Sequence, residues 1–280
     1  MLSRLRNSWT LVKASGRVLT QDPELLIFPA LSGLALAVVG ASFFGAGVLT
    51  DLQSSVASDG GSALSGILAV LFYVVSYTII FFFNSALVGA ALIRLDGGDP
   101  TIADGFRIAT ERIGTILGYA VLAATVGMVI RMIAERVGVL GRLLTGLVGS
   151  AWSVATYLAV PVLVSKDVDP LEAVKESAAL FRRTWGEQVA GSASIALVFV
   201  PVFIVIAVVG VLGIIGAASI SPALAIAAVV SLIGAILLAS LVSSALSTVY
   251  SAALYRYATT GEAPAGFDAG TLRGAFRPKR

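Results

Sequence analysis

Hydroxyl side chains recur at helical spacing along the last long apolar segment of the chain. Ser240, Ser244, Ser247 and Ser251 follow one another at steps of three or four residues, which places them on one face of a helix. Inside a membrane, hydroxyl and amide groups hydrogen-bond across helices or line a polar path. Close helix packing accounts for the stripe, and a polar groove for a solute or a lipid headgroup is the alternative. The candidate groove residues are Asn84, Ser240, Ser243, Ser244, Ser247, Tyr250 and Ser251.

Asn84 and Pro161, both inside apolar segments, lead to more specific expectations. Asn84 follows three phenylalanines inside an apolar segment, and we expect its amide to hydrogen-bond to a neighbouring helix. In another apolar segment Pro161 follows Trp152, Thr156 and Tyr157. Proline removes a backbone donor, so we expect it to bend that helix near one end.

The residue types that the chain lacks exclude several common kinds of catalytic site. It contains no histidine and no cysteine, so Ser-His and Cys-His nucleophile pairs and the common zinc sites are impossible. Proton-coupled carriers and intramembrane aspartyl proteases place an ionisable residue within the membrane, whereas every Asp, Glu and Lys lies outside the apolar segments. We predict no catalytic, metal-ligating or cofactor-binding residue, and no enzyme activity.

The length of the apolar segments indicates that most of the chain lies in a lipid bilayer. Residues 188–255 form 68 consecutive positions without a charged side chain. About 20 helical residues cross a bilayer, so this stretch crosses twice, divided at Ser221-Pro222. Only 12% of the residues are charged, about half the fraction of a soluble domain. With four further uncharged windows, the sequence predicts spans at residues 25–49, 64–93, 113–132, 143–165, 190–216 and 222–253.

Each odd-numbered span is preceded by a segment with one apolar face. These segments cover residues 2–20, 100–112 and 170–185, where apolar residues recur at steps of three or four. The fold class is therefore an all-α polytopic membrane protein with three two-span hairpins, each preceded by a cytoplasmic amphipathic helix. Residues 12–15 (VKAS) faintly resemble residues 174–177 (VKES), which suggests an internal repeat. We expect one membrane domain over residues 1–260 and a basic cytoplasmic tail over residues 261–280.

Aspartate-proline pairs mark the predicted helix starts. Asp22, Asp99 and Asp169 each precede a proline, and we expect each carboxylate to cap the helix that follows. Gly97-Gly98 is expected to end the second span.

Positive charge is distributed unevenly between the two sides of the predicted topology. With the N-terminus in the cytoplasm, the inner segments carry 16 Lys and Arg residues and the outer segments carry 3. The positive-inside rule then places both termini in the cytoplasm. The three outer positives, Arg131, Arg136 and Arg142, lie in one short connection. We expect Arg131 to snorkel to the interface, and an outward-facing contact with an anion or a lipid headgroup is the alternative. No signal peptide is expected.

Several motifs carry a resemblance to a known family. They are residues 177–186 (SAALFRRTWG), residues 253–261 (ALYRYATTG), residues 7–9 (NSW) and residues 26–29 (LIFP). With these motifs the chain resembles an uncharacterised family of prokaryotic six-span membrane proteins. That family is similar in layout to the membrane domain fused to some glycerophosphodiester phosphodiesterases. The resemblance implies a membrane location and a fold, and it implies no activity.

Two functions remain open from the sequence. The first is a non-catalytic membrane component that organises lipids or partner proteins, with membrane lipids, a protein partner or a second copy of the chain as its partners. The alternative is a passive carrier or channel for a small or amphiphilic solute, lined by the serines of the last span. Nucleic acid is not an expected partner, because the basic residues flank the spans, where orientation in the membrane explains them.

Overall fold

The computed structural model describes residues 2–49, 63–136, 139–185 and 195–273. Helices make up these ranges, with no strand among them. The helices are α1 (Leu2–Gln21), α2 (Ile27–Leu49), α3 (Ala63–Leu95), α4 (Ile102–Glu111), α5 (Ile113–Arg136), α6 (Val139–Ala155), α7 (Ala159–Ser165), α8 (Pro170–Trp185), α9 (Ile195–Ala218), α10 (Pro222–Thr260) and α11 (Ala269–Arg273), with a 3-10 helix at Pro23–Leu26.

Six segments of the described chain, each 20 to 39 residues long, are long and apolar enough to cross a membrane. The predicted all-α fold with six membrane-length helices is confirmed. The longest, α10, continues to Thr260, beyond the predicted end at residue 253. It ends where Gly261 adopts a φ of 76°, a left-handed conformation that glycine takes without a steric penalty.

Helix α3 ends at the predicted glycine pair. Gly97 has a φ of 87°, and its N–H donates to the carbonyl oxygen of Arg94 at 2.9 Å. The N–H of Gly98 donates to the carbonyl oxygen of Ile93, also at 2.9 Å. These two bonds form a Schellman motif, which satisfies carbonyls left free at a helix end.

The aspartate caps behave differently from one another. Asp169 caps α8 as predicted, because its carboxylate accepts the N–H of Glu172 at 2.9 Å. The prediction is wrong for Asp99, since Thr101 caps α4 in a reciprocal capping box with Asp104. It is also wrong for Asp22, which makes no side-chain cap and instead accepts two hydrogen bonds from Arg94.

The fourth membrane segment contains a break. Helix α6 ends at Ala155 and α7 begins at Ala159, so the bend predicted at Pro161 lies at residues 156–158 instead. Pro161 has no N–H to give to the carbonyl four residues earlier, which explains the discontinuity on its N-terminal side. The freed N–H of Leu158 donates to the hydroxyl of Ser177 on α8, at 3.0 Å.

The three short helices α1, α4 and α8 pack in a cyclic order. Helix α4 packs mainly on α3, the span before it. Helix α8 packs on α5, α6 and α7, again the spans before it. Helix α1 packs on the hairpin formed by α9 and α10. Each short helix therefore supports the hairpin of another unit.

Burial is concentrated where the short helices lie, which we call the short-helix end. In α10 every buried residue falls between Ala245 and Ala258. Towards the opposite end, α9 and α10 expose large apolar side chains such as Val209 (63%) and Ile226 (66%), which suits a lipid-facing surface. Helix α3 is central, because it packs on α2, α4, α5, α7 and α10.

Candidate functional site

A cavity of about 350 Å³ lies between α3, α5, α6, α7 and α10, and we call it the polar cavity. Its lining residues on α10 lie within the buried part of that helix, between Ala245 and Ala258. None of its lining side chains is charged. The lining residues are Tyr77, Phe81, Asn84, Val88, Tyr119, Ala123, Gly127, Trp152, Thr156, Tyr157, Val160, Ser247, Thr248 and Ser251.

The predicted groove residues divide between this cavity and other surroundings. Asn84, Ser247 and Ser251 line the cavity. Ser240 and Ser244 are exposed on α10, Ser243 is half-buried, and none of the three lines it. Tyr250 is buried, and its hydroxyl has no hydrogen-bond partner among the described residues.

One hydrogen bond in the cavity wall joins distant parts of the chain. The hydroxyl of Thr248 on α10 donates to the side-chain oxygen of Asn84 on α3 at 2.7 Å. The predicted interhelical role of Asn84 is thereby confirmed. Thr248 adjoins the serine stripe in sequence but is absent from the predicted groove; its partner, 164 residues away, could not be read from local spacing.

Aromatic side chains form much of the remaining wall, and the predicted groove included none of them. Tyr77 stacks on Phe81 with ring centroids 5.7 Å apart, and Phe81 meets Tyr119 at 4.6 Å. Helical spacing between Tyr77 and Phe81 was the available sequence signal, but an aromatic stripe in a span equally indicates helix packing.

An apolar groove of about 520 Å³ runs beside the polar cavity, between α5 and α6. Almost all of its surface is carbon, contributed by residues such as Val129, Ile133 and Val148. Trp152 lines both the apolar groove and the polar cavity. The two spaces therefore adjoin at Trp152.

A second polar space, which we call the charged cavity, lies towards the short-helix end. It measures about 400 Å³ and includes Asp96, Glu111, Arg112 and Arg256 in its wall. Arg256 pairs with Asp96 at 2.5 Å, which joins α10 to the end of α3. Opposite charges in its wall thus neutralise one another.

Other ion pairs fasten the short-helix end together. Arg94 of α3 pairs with Asp22, whose side chain is 5% exposed, and with Asp99, whose side chain is 93% exposed. Arg112 pairs with Asp167. A hydrogen bond to Glu176 raises the pKa of Lys166 above its ordinary value.

At the opposite end Arg131, which we predict to snorkel, has defined partners. Arg131 donates to Glu135 at 2.8 Å and to the Tyr73 hydroxyl at 2.9 Å. Both partners lie on membrane-length helices, so the guanidinium ties α5 to α3. Within the described ranges no three His, Cys, Asp or Glu side chains are grouped as a metal ion requires.

Comparison with known proteins gives one match. A family described as "Family of unknown function (DUF6159)" matches residues 63–267, which include every residue that lines the polar cavity. No curated protein and no solved structure matches the chain.

Proposed function

We propose that this chain, which belongs to the family of unknown function DUF6159, is a non-catalytic membrane protein that holds an uncharged amphiphilic lipid. The observation that carries the proposal is the junction at Trp152, where a polar, charge-free cavity meets an apolar groove. An amphiphile presents these two chemistries side by side. Its headgroup would occupy the polar cavity and its acyl chain the apolar groove.

The wall of the polar cavity determines the kind of headgroup. It offers the hydroxyls of Ser247, Ser251 and Thr156, the amide of Asn84 and several aromatic rings. A charged headgroup would leave water without a counter-ion, which is expensive inside a bilayer. Hydroxyl-bearing, uncharged headgroups such as glycerol can exchange their hydrogen bonds with water for bonds to these groups.

Size also favours a lipid over a protein partner or a second copy of the chain. Ligand pockets measure about 300–1,000 Å³, and the polar cavity and the apolar groove lie within that range at about 350 and 520 Å³. No carboxylate, amine, imidazole or thiol lines the polar cavity, which supports a holding role over catalysis. We place the protein in a prokaryotic cell membrane with both termini in the cytoplasm, because that orientation follows the positive-inside rule.

Tryptophan fluorescence tests the proposal directly. The chain has three tryptophans, so the double variant Trp9→Phe/Trp185→Phe leaves Trp152 as the only indole. The probe is a monoacylglycerol brominated on its acyl chain, added to the purified protein in detergent at fixed micelle composition. We expect saturable quenching of Trp152 that unbrominated monoacylglycerol reverses. A brominated phosphatidylglycerol should quench without saturation.

A matched pair of variants locates the bound probe. Ala123 on α5 lines the polar cavity, whereas Val121 on the same helix is 45% exposed on the lipid side. Ala123→Phe fills the cavity and should abolish the saturable quenching, and Val121→Phe should preserve it. Saturable quenching that survives Ala123→Phe, or that is absent from the single-tryptophan parent, would contradict the proposal. Size-exclusion profiles check that both variants stay folded.

A further inference from the structure

The polar cavity and the charged cavity lie on the same faces of the helices that enclose them. On α3, Asn84 and Val88 line the polar cavity, and Leu92 and Asp96 line the charged cavity. These four residues are spaced four apart, so they form one continuous stripe on the helix. The wall of one space therefore continues into the wall of the other.

The same continuity holds on the opposing helices. On α10, Ser251 lines the polar cavity, and Tyr255 and Thr259, four and eight residues later, line the charged cavity. On α7, Val160 lines the polar cavity and Val164 the charged cavity, again four residues apart. Three helices thus carry both cavities on a single face, which aligns the two spaces along the bundle.

Only a short apolar layer separates the two spaces. Val88 and Val160 form the floor of the polar cavity and are 1% and 8% exposed. Ile116, fully buried, occupies the corresponding place on α5, between Arg112 of the charged cavity and Tyr119 of the polar cavity. We call Val88, Ile116 and Val160 the seal. The lining residues above and below it, such as Asn84 and Leu92 on α3, are two helical turns apart, about 12 Å along the helix.

We propose that the two cavities are the halves of one passage for small uncharged polar solutes, closed by the seal. Water occupies about 30 Å³ per molecule in the liquid, so the cavities, at about 350 and 400 Å³, each hold roughly ten. A ring of apolar side chains one turn thick closes a pore by excluding water, and a small movement of its helices opens it.

The chemistry of the walls selects the solute. The polar cavity contains no charged side chain, so an ion would lose its hydration shell there without compensation. Polyols and ureas lose only hydrogen bonds, which the hydroxyls of Ser247 and Ser251 and the amide of Asn84 replace. Glycerol-sized molecules fit the volume, and disaccharides exceed the opening that one displaced layer of valines would leave.

This passage does not depend on lipid binding, although the two share the polar cavity. A lipid enters between α5 and α6, past Trp152, whereas the passage runs along α3, α7 and α10. A bound headgroup would block the passage. The two proposals can therefore fail separately, because quenching of Trp152 reports the lipid and solute flux reports the passage.

Opening the seal is the decisive experiment. Purified protein is reconstituted in phosphatidylcholine vesicles, and glycerol entry is followed by light scattering after an osmotic step. We expect Val88→Ala/Val160→Ala to admit glycerol at least tenfold faster than the matched control Val70→Ala/Val121→Ala, whose side chains on α3 and α5 are each 45% exposed. Equal rates in the two double variants would overturn the proposal. Ile116→Ala opens the same layer if the first variant does not fold.

A plug identifies the route. Ala123→Phe added to the seal-opened variant fills the polar cavity on the far side of the seal and should return glycerol entry to the rate of the control. Unchanged fast entry would show that the solute bypasses the cavity and would overturn the passage. Chloride entry, measured with a fluorescent dye, should stay at the control rate in every variant. Fast chloride entry would overturn the proposed selection by charge.

Discussion

At the scale of single residues, the two acids that pair with Arg94 show how burial determines how much an ion pair contributes to stability. Asp22 and Asp99 both accept hydrogen bonds from Arg94, but the Asp22 side chain is 5% exposed and the Asp99 side chain 93% exposed. Water competes fully for Asp99, so its pairing contributes little. Removing Asp22 leaves the buried side of the guanidinium without an acceptor.

We therefore predict that Asp22→Ala lowers the free energy of unfolding by about 1–3 kcal/mol, the range for hydrogen bonds to charged groups. The matched control, Asp99→Ala, should change it by less than about 0.5 kcal/mol. Thermal unfolding in detergent, followed by tryptophan fluorescence, measures the difference as a fall of several degrees in Tm. Equal shifts of Tm in the two variants would show that the Arg94–Asp22 pair contributes no more to stability than the exposed Arg94–Asp99 pair.

Residue-level function was only partly readable from the sequence. Asn84, Ser247 and Ser251 were predicted and line the polar cavity, because a polar side chain in a span is conspicuous wherever it lies. Ser240 and Ser244 share the same stripe, but they precede the buried part of α10, which begins at Ala245. Periodicity identifies a helical face, whereas the length over which that face meets neighbours depends on the path of other helices.

At the scale of elements, a single hydroxyl supports the break between α6 and α7. The N–H of Leu158 has left the helical ladder and donates to Ser177 of α8, which is fully buried. This contact explains how a discontinuity is tolerated inside a membrane-length segment, since neighbouring side chains satisfy the backbone there. Ser15 on α1, at the matching place in the faint repeat, is equally buried, but its hydroxyl has no partner among the described residues.

We predict that Ser177→Ala lowers the free energy of unfolding by about 1–3 kcal/mol, because it strands a buried N–H. Ser15→Ala removes a hydroxyl of the same size and burial without stranding a partner, and should be neutral or slightly stabilising. Unfolding midpoints in detergent compare the two variants. A larger loss for Ser15→Ala would contradict the assigned role of Ser177.

Element boundaries were predictable where backbone chemistry is local. The glycine pair after α3 and the Asp169 cap of α8 follow from rules that operate within six residues. The break at residues 156–158 was displaced from the expected bend at Pro161, because the proline determines which backbone carbonyl loses its donor and Ser177 determines where the chain turns. The second cause is 19 residues away in sequence.

At the scale of the whole molecule, the distribution of charge implies one orientation. The basic residues gather at the short-helix end, while the turn at residues 219–221 between α9 and α10 lies at the opposite end. If all six membrane-length segments cross, an even number of crossings returns the chain to the side where it began. We propose that this side faces the cytoplasm, because the positive-inside rule favours that orientation.

Labelling of introduced cysteines tests this orientation without background, because the chain contains none of its own. In intact cells a membrane-impermeant maleimide should label Ser219→Cys and leave Gln21→Cys and Ala265→Cys unlabelled. Permeabilising the cells should make all three reactive, since all three positions are exposed. Labelling of only one of Gln21→Cys and Ala265→Cys in intact cells would place the two ends on opposite sides and contradict the topology.

The seating of α1 on α9 and α10 has a consequence for biogenesis. The ribosome releases α1 before α9 and α10, so α1 must wait at the bilayer while the intervening spans are inserted. Helix α11, near the C-terminus, also touches α1. The packing of α1 on α9 and α10 is therefore the last packing step among these helices. If translation stops before α10, the face of α1 that packs on α10 stays uncovered, and quality-control proteases can recognise such a face.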